Sequence, residues 1–287
     1  MRPRPFLLHR PNTLKEASEL LYSHEDAKPL AGGQSLIPMM KLRIYSPEEI
    51  VMIGHLPEMQ PGVKQEGSTI VINSMTTHDM VHHNELISEY LPVLSEAAAA
   101  IADQQIRNRG TIGGNIAHGD PSTNLSAALL ALDAKVLASG KDGQREIPID
   151  EFFLDLFTTA LEPGEIITGF KVDIPKNSRQ KFMKITRSDT AFPLAFVAVN
   201  IQLSDGVVKD ARIGLGVAAP TPIRATEAEE YLKNKQLNQE TILKTAEMAT
   251  KDLEPPGDVH ASPEYRKNLL NVLMKRCLNS LLEEVKQ

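Results

Sequence analysis

Apolar positions along the chain follow helical spacing in some stretches and strand-like runs in others. Leu14, Ala17, Leu20 and Leu21 fall on one helical stripe, and Thr13 with Glu16 supplies a T-x-x-E capping box at its start. The segment from Asp26 predicts a short strand, a tight glycine turn and then an apolar stretch. The run around Ile50 to Ile53 predicts a buried strand, and STIVINSM (68–75) another. Thr76 and Thr77 can cap a following helix through Asp79 or Met80. Pro92 opens a second helix through LSEAAAAIA, whose alanines allow close packing. RNRGTIGGNIAHGDPST (107–123) reads as a long loop, and LSAALLALDA (125–134) as a buried helix.

Strands are expected at KVLAS, REIPI and EIITGFKVDI, with IPKNSR (174–179) as a domain junction. KFMKITR, AFVAVNIQL and VVKDARIGLGV have strand length, and SDG at 204–206 signals a hairpin. The rest turns helical. In the last helix Ser262 is the N-cap and Pro263 the first helical residue.

A chain of 287 residues can bury a large core and usually forms two domains. With 41% hydrophobic and 24% charged residues it reads as an ordinary globular protein rather than a disordered or fibrous one. A net charge of -6 argues against nucleic acid, which needs a cationic face. No apolar run is long enough to span a membrane. The start MRPRPFLLHRPNT has too short an apolar stretch for a signal peptide, so a cytoplasmic location is the expectation. The single cysteine, Cys277, sits in a helical pattern and reads as a buried small hydrophobe; one thiol cannot hold an iron–sulfur cluster. The histidines show no HExxH spacing, and His82 and His83 are adjacent on a polar stretch, so no metal site is expected.

Two segments break the ordinary pattern: Ala31-Gly32-Gly33-Gln34-Ser35 and Thr111-Ile112-Gly113-Gly114-Asn115. Paired glycines permit positive φ and bring bare backbone close to a ligand. Successive N–H groups in such turns form anion-binding concavities. A dinucleotide pyrophosphate needs many donors and little bulk, and Ser35, Thr111 and Asn115 add side-chain donors. A lone glycine pair is more often only a turn, and chemistry alone leaves both readings open. No G-x-x-x-x-G-K-[ST], no G-x-G-x-x-G after the first strand and no G-x-S-x-G occurs, which excludes P-loop, Rossmann and nucleophile-elbow sites in their usual form.

At these residues the chain resembles a known family. PLAGGQSLIPMMKLR (29–43) and RGTIGGNIAHGDPSTNL (109–125) look like the two FAD-binding signatures of the flavin-carrying medium subunit of molybdenum hydroxylases, the xanthine oxidase and aerobic carbon monoxide dehydrogenase family. SEAAAAIADQQIRNRGTIGGN, GLGVAAPTPIRATEAE (214–229) and the final SPEYRKNLLNVLMKR extend the resemblance to essentially the whole chain. It implies an α+β fold: a two-part α/β FAD-binding domain of the vanillyl-alcohol oxidase/PCMH type at 1–176, with subdomains about 1–58 and 59–176. A C-terminal domain of antiparallel sheet and helices follows at 177–287.

The resemblance also implies site residues. Leu30, Ala31, Gly32, Gly33, Gln34, Ser35, Leu36 and Ile37 would wrap one side of the FAD pyrophosphate, and Thr111, Ile112, Gly113, Gly114 and Asn115 the other. Ile101 and Ala102 would touch the flavin region. Asn124 stands where relatives often carry an aspartate, a departure that leaves the acidic role open to nearby Asp120; Asn124 also reads as the N-cap of the following helix. Relatives place a lysine and an aromatic near the isoalloxazine, which points to Lys184 and Phe192. For Lys184 a solvated strand face competes with that role, and for Phe192 core packing does.

The function implied is an oxidoreductase subunit that accepts electrons from [2Fe–2S] clusters of a small partner subunit onto non-covalent FAD and passes them to an external acceptor. A molybdopterin large subunit completes a heterotrimer, itself open to dimerisation, that oxidises carbon monoxide, an aldehyde or a related small substrate. No catalytic acid or base of this chain is required. The competing readings are a self-contained FAD oxidase or dehydrogenase, and a module that has kept the fold and lost FAD.

Overall fold

A computed structural model describes residues 2–285. A strand absent from the sequence reading, β1 (Leu7–His9), precedes helix α1 (Leu14–Ser23). The side chains of β1 are exposed or half-buried, and its short apolar stretch shows no alternation, so its pairing defines it. Thr13 Oγ1 accepts the Glu16 N–H at 3.1 Å, but the Glu16 carboxylate turns to the Asn12 N–H at 2.7 Å, one residue earlier than a strict capping box. Strand β2 (Ala27–Leu30), helix α2 (Leu36–Leu42) and strand β3 (Glu49–Met52) complete this region. Its three strands are parallel in the order β1-β3-β2. Leu14, Ala17 and Leu21 of α1 close its core against Val51, Ile53 and Leu56.

The second sheet is antiparallel. It is built from β4 (Val63–Glu66), β5 (Thr69–Asn73), β6 (Lys135–Gly140), β7 (Gly143–Pro148) and β10 (Ile166–Asp173), in the order β4-β5-β10-β6-β7. A small hairpin, β8 (Phe153–Asp155) and β9 (Thr158–Thr159), lies between β7 and β10. From β5 the chain passes through α3 (His78–His83), α4 (Glu85–Tyr90), α5 (Pro92–Ala99), α6 (Gln104–Arg107), α7 (Ile112–Ala117) and α8 (Asn124–Ala131) before it re-enters the sheet as β6. Helix α7 occupies part of the stretch expected as a long loop. Two of its six residues are glycine, so propensity conceals it; Thr111 caps it by accepting the Gly114 N–H.

A four-stranded antiparallel sheet follows: β11 (Ser178–Thr186), β12 (Pro193–Ser204), β13 (Val207–Gly216) and β14 (Ile223–Arg224). The β12–β13 turn places Asp205 and Gly206 at φ 52° and 75°, the paired positive values that a two-residue hairpin turn favours. Helices α9 (Thr226–Leu232), α10 (Gln239–Thr250) and α11 (Pro263–Val285) end the fold.

Strand β12 shows how the layers stack. Ala195, Val197, Val199 and Ile201 face the core shared with α10 and α11, whereas Phe196 and Ala198 face the core shared with α5 and α8. This is the two-residue period of a strand buried on both sides. Helix α8 lies between that sheet and α5, and all eight of its residues are buried. Each large apolar side chain placed there contributes ~1.5–3 kcal/mol. Cys277 is buried in α11, and burial pushes its thiol well above the usual range. Among the described residues, no helix is long and apolar enough to cross a membrane.

Candidate functional site

A cleft of about 570 Å³ opens where the end of β2, the start of α7 and the approach to β12 meet. The first glycine turn, 31–35, joins β2 to α2 at the C-terminal edge of the parallel sheet. Such edges are where open α/β sheets bind ligands. Gly33 sits at φ 74°, the left-handed region that suits glycine. The N–H groups of Gly32, Gly33, Gln34 and Ser35 meet no acceptor among the described residues. Four consecutive free donors at a cleft are a ready anion cradle.

The second turn is built differently. Its N–H groups are already committed: Ile112 to the Thr76 carbonyl at 3.0 Å, Gly113 to the Ser74 carbonyl at 2.8 Å, and Gly114 to Thr111 Oγ1 at 3.1 Å. Gly113 is held so close to Ser74 that a Cβ would lie 2.5 Å from the serine Cβ. This turn therefore offers an exposed Gly114 and the side chain of Asn115, whose Oδ1 is buried without a partner. The expected run of free backbone donors is confined to the first turn.

The turns pack on each other. A Cβ on Gly32 would come within 2.0 Å of the Arg109 carbonyl oxygen. Thr77 and Thr111 form an antiparallel bridge, and the His78 N–H donates to the Gly110 carbonyl at 2.9 Å. The His78 ring lies on Gly110, where a Cβ would meet it at 2.7 Å. Burial, assisted by the Arg107 charge, lowers the His78 pKa to about 4, so the imidazole is neutral at ordinary pH.

Most of the residues named from the sequence border this cleft. Two do not. Ile112 is fully buried in the core, and the Ile37 side chain turns back toward Gly33. Asn124 is not the cap of α8: Thr123 precedes it as N-cap, and Asn124 is the first helical residue, its Nδ2 donating to the Ala97 carbonyl at 3.1 Å. Asp120 Oδ1 accepts from both the N–H and the hydroxyl of Ser122, which fixes the turn before α8. Lys184 is half-buried rather than on a solvated face; its amine donates to the Ala100 carbonyl, and burial lowers its pKa, with Asp189 opposing and the Arg107 charge adding to the fall. Phe192 is 75% exposed, so it is no part of the core.

The sequence reading omits His78, Ser74, Thr123 and His118, which also border the cleft. Ser74 and His78 lie outside both signatures and only the fold brings them in, whereas His118 and Thr123 lie within the second signature, beyond its glycine pair. Burial lowers the His118 pKa, partly offset by Asp120, and its ring tilts against Phe157 with centroids 5.2 Å apart.

A dinucleotide fits these residues. The cleft combines free backbone donors, glycines where a side chain would intrude, and buried polar atoms without partners: Ser74 Oγ, His78 Nδ1, Asn115 Oδ1 and Thr123 Oγ1. Such atoms are costly unless a ligand or water meets them. Ile101, Ala102 and Phe192 add apolar side chains to the lining, against which a planar ring can rest.

Comparison with known proteins agrees. Residues 4–177 match the family described as FAD binding domain in molybdopterin dehydrogenase, and residues 180–281 match the CO dehydrogenase flavoprotein C-terminal domain. The chain is 37% identical to the carbon monoxide dehydrogenase medium chain of Hydrogenophaga pseudoflava, covering 98% of each chain. It is 32% identical to the glyceraldehyde dehydrogenase medium chain of Sulfolobus acidocaldarius, covering 98% of this chain and 100% of that one. A solved structure of the Hydrogenophaga pseudoflava carbon monoxide dehydrogenase, a form lacking the Mo-pyranopterin moiety, superposes with a TM-score of 0.95 at 38% identity over 99% of each chain. The chain belongs to the family of FAD-binding medium subunits of molybdenum hydroxylases.

Proposed function

We propose that this chain is the flavin subunit of a heteromeric molybdenum hydroxylase, with FAD held non-covalently in the cleft. The observation that carries this reading is the run of free N–H groups from Gly32 to Ser35, packed against the second glycine turn. Bound there, FAD supplies the transfer between one-electron and two-electron carriers, and the protein supplies binding and orientation. Gly32 to Ser35 donate to the pyrophosphate, and Asn115 and the Gly114 backbone close its other side. Asp120 and Asn124 frame the turn beside them, while Ile101, Ala102, Lys184 and Phe192 border the ring. In this reading the FAD-binding domain is 1–176, with subdomains about 1–58 and 59–176, and 177–287 is the C-terminal domain.

The chain's one cysteine is buried and one thiol cannot hold an iron–sulfur cluster, so in this reading the electrons come from a cluster on another chain. The partners are an iron–sulfur small subunit and a molybdopterin large subunit, and the whole complex oxidises carbon monoxide, an aldehyde or a related small substrate. The cytoplasm is the location in this reading.

The purified chain is expected to show a flavin visible spectrum and to release the colour into the supernatant on acid precipitation. Alone it should not reduce a dye with carbon monoxide, aldehydes or purines; with its two partner subunits, substrate should bleach the flavin. Substrate-dependent dye reduction by the isolated chain at enzymatic rates, on the order of 1 to 1000 per second, would replace this reading with a self-contained flavoenzyme.

A further inference from the structure

Three consecutive carbonyl groups after α5 are held by two cations. Lys184 Nζ donates to the Ala100 carbonyl, and Arg107 Nη1 donates to both Ile101 O at 2.8 Å and Ala102 O at 3.0 Å. Ala102, between these anchors, has φ 36°, a left-handed conformation that alanine rarely adopts. Such strain persists only where the surroundings over-determine it. The Ala102 N–H meets no acceptor among the described residues.

Arg107 is not occupied elsewhere by a carboxylate. Its Nη2 goes to Gln104 Oε1 at 2.9 Å, its Nε is buried without a partner, and among the described residues it forms no ion pair. The bonds of the guanidinium therefore go mainly to backbone, and that backbone borders the cleft at Ile101 and Ala102. A planar guanidinium fixes two carbonyls in a set geometry; a lysine ammonium does not. The run of four consecutive free donors, by contrast, is on the first glycine turn, and Arg107 bonds to none of its residues.

We propose that Arg107 is a positioning residue that, through the carbonyls of Ile101 and Ala102, shapes the strap of backbone on which the flavin ring rests. The inference rests on the FAD reading above and adds a division of labour: the glycine turns hold the dinucleotide phosphates, and the Arg107 strap sets the ring.

The test compares two probes on the cofactor-stripped chain. FAD uses both parts of the cleft, whereas ADP carries the pyrophosphate and adenosine without the ring. Arg107→Gln should weaken FAD binding by about tenfold or more, alter the visible spectrum of the bound flavin, and leave ADP affinity unchanged. Arg107→Lys should fall between wild type and Arg107→Gln, and it carries the same comparison if Arg107→Gln does not fold. Adding Ala102→Gly to Arg107→Gln should restore much of the FAD affinity, because glycine takes the left-handed conformation without help. Equal losses for FAD and ADP, or an unchanged FAD affinity and spectrum in Arg107→Gln, would overturn the proposal. A wild-type chain that binds ADP but FAD no more tightly overturns the placement of the ring. A wild-type chain that binds neither overturns the FAD reading itself, and the proposal with it.

Discussion

Gly32 and the carbonyl of Arg109 are in direct contact, with space for no Cβ between them: one would sit 2.0 Å from the oxygen. Two turns distant in sequence are thereby a single packed unit. Because the obstructing atom is backbone, it cannot swing aside. Gly32→Ala should destabilise the chain by ~1–3 kcal/mol and separate the turns. Thermal unfolding together with the flavin-to-protein ratio would check this; a fully loaded variant of wild-type stability would contradict it.

Gly33 and Gly114 are glycine for different reasons. Gly33 has φ 74° and a flexible neighbour, Ile37 Cδ1, 2.6 Å from a built Cβ. Gly33→Ala should cost ~1–2 kcal/mol of backbone strain, and Gly33→Asn, which tolerates that conformation, should retain more flavin. Gly114 is helical and exposed, and its built Cβ meets only the Thr111 hydroxyl, at 2.9 Å, and the Ala31 side chain, at 3.7 Å. Gly114→Ala presses on the hydroxyl that caps α7, so it should fold with a loss of up to ~1 kcal/mol yet hold less flavin. Flavin content measured beside melting temperature separates the two cases.

His78 makes stability depend on acidity. Its folded pKa of about 4 lies below its ordinary value of 6.5, so the unfolded chain takes up the proton first as the pH falls. Stability from this group is complete above about pH 6.5, declines as the pH falls towards 4, and then levels off; the total is about 3 kcal/mol. His78→Gln has nothing to titrate there and should flatten that part of the curve. Denaturant unfolding at a series of pH values would show the difference in slope, and identical slopes would remove His78 as the source.

Phe192 tests the ring wall. At 75% exposure it buries little, so Phe192→Ala should leave stability within about 0.5 kcal/mol while changing the fluorescence or absorption of the bound flavin. Unaltered flavin spectra would place the ring elsewhere in the cleft.

The sequence reading is strongest where the pattern is local and repeated. The stripe of α1, the strand β12, the hairpin at Asp205 and Gly206 and the capped helix α11 all follow from periodicity or turn chemistry. It fails for β1 and β4, where partly or largely exposed side chains carry no apolar alternation and only pairing creates the strand. It fails for α7, where glycines needed for close approach to Ser74 obscure the helix. At the site, the glycine motifs reveal where bare backbone is needed, but not which N–H groups remain free. That depends on Ser74 and Thr76, which satisfy the second turn from another strand end. Nor can spacing expose Arg107 or His78, whose roles arise from carbonyls and rings met across the fold.

Helix α8 has no face for water. Gly214 of β13 approaches the Ala127 carbonyl so closely that a Cβ would lie 2.2 Å away, and Asn200 of β12 donates to the Ala131 carbonyl at 3.1 Å. The chain therefore has a family boundary near residue 178 without a seam there. A fragment ending at that boundary would leave an oily helix bare and the Ala131 carbonyl without Asn200, inviting aggregation. Two halves that look exchangeable on paper are thus bound to change together, since any graft of a foreign C-terminal sheet must reproduce the imprint of α8.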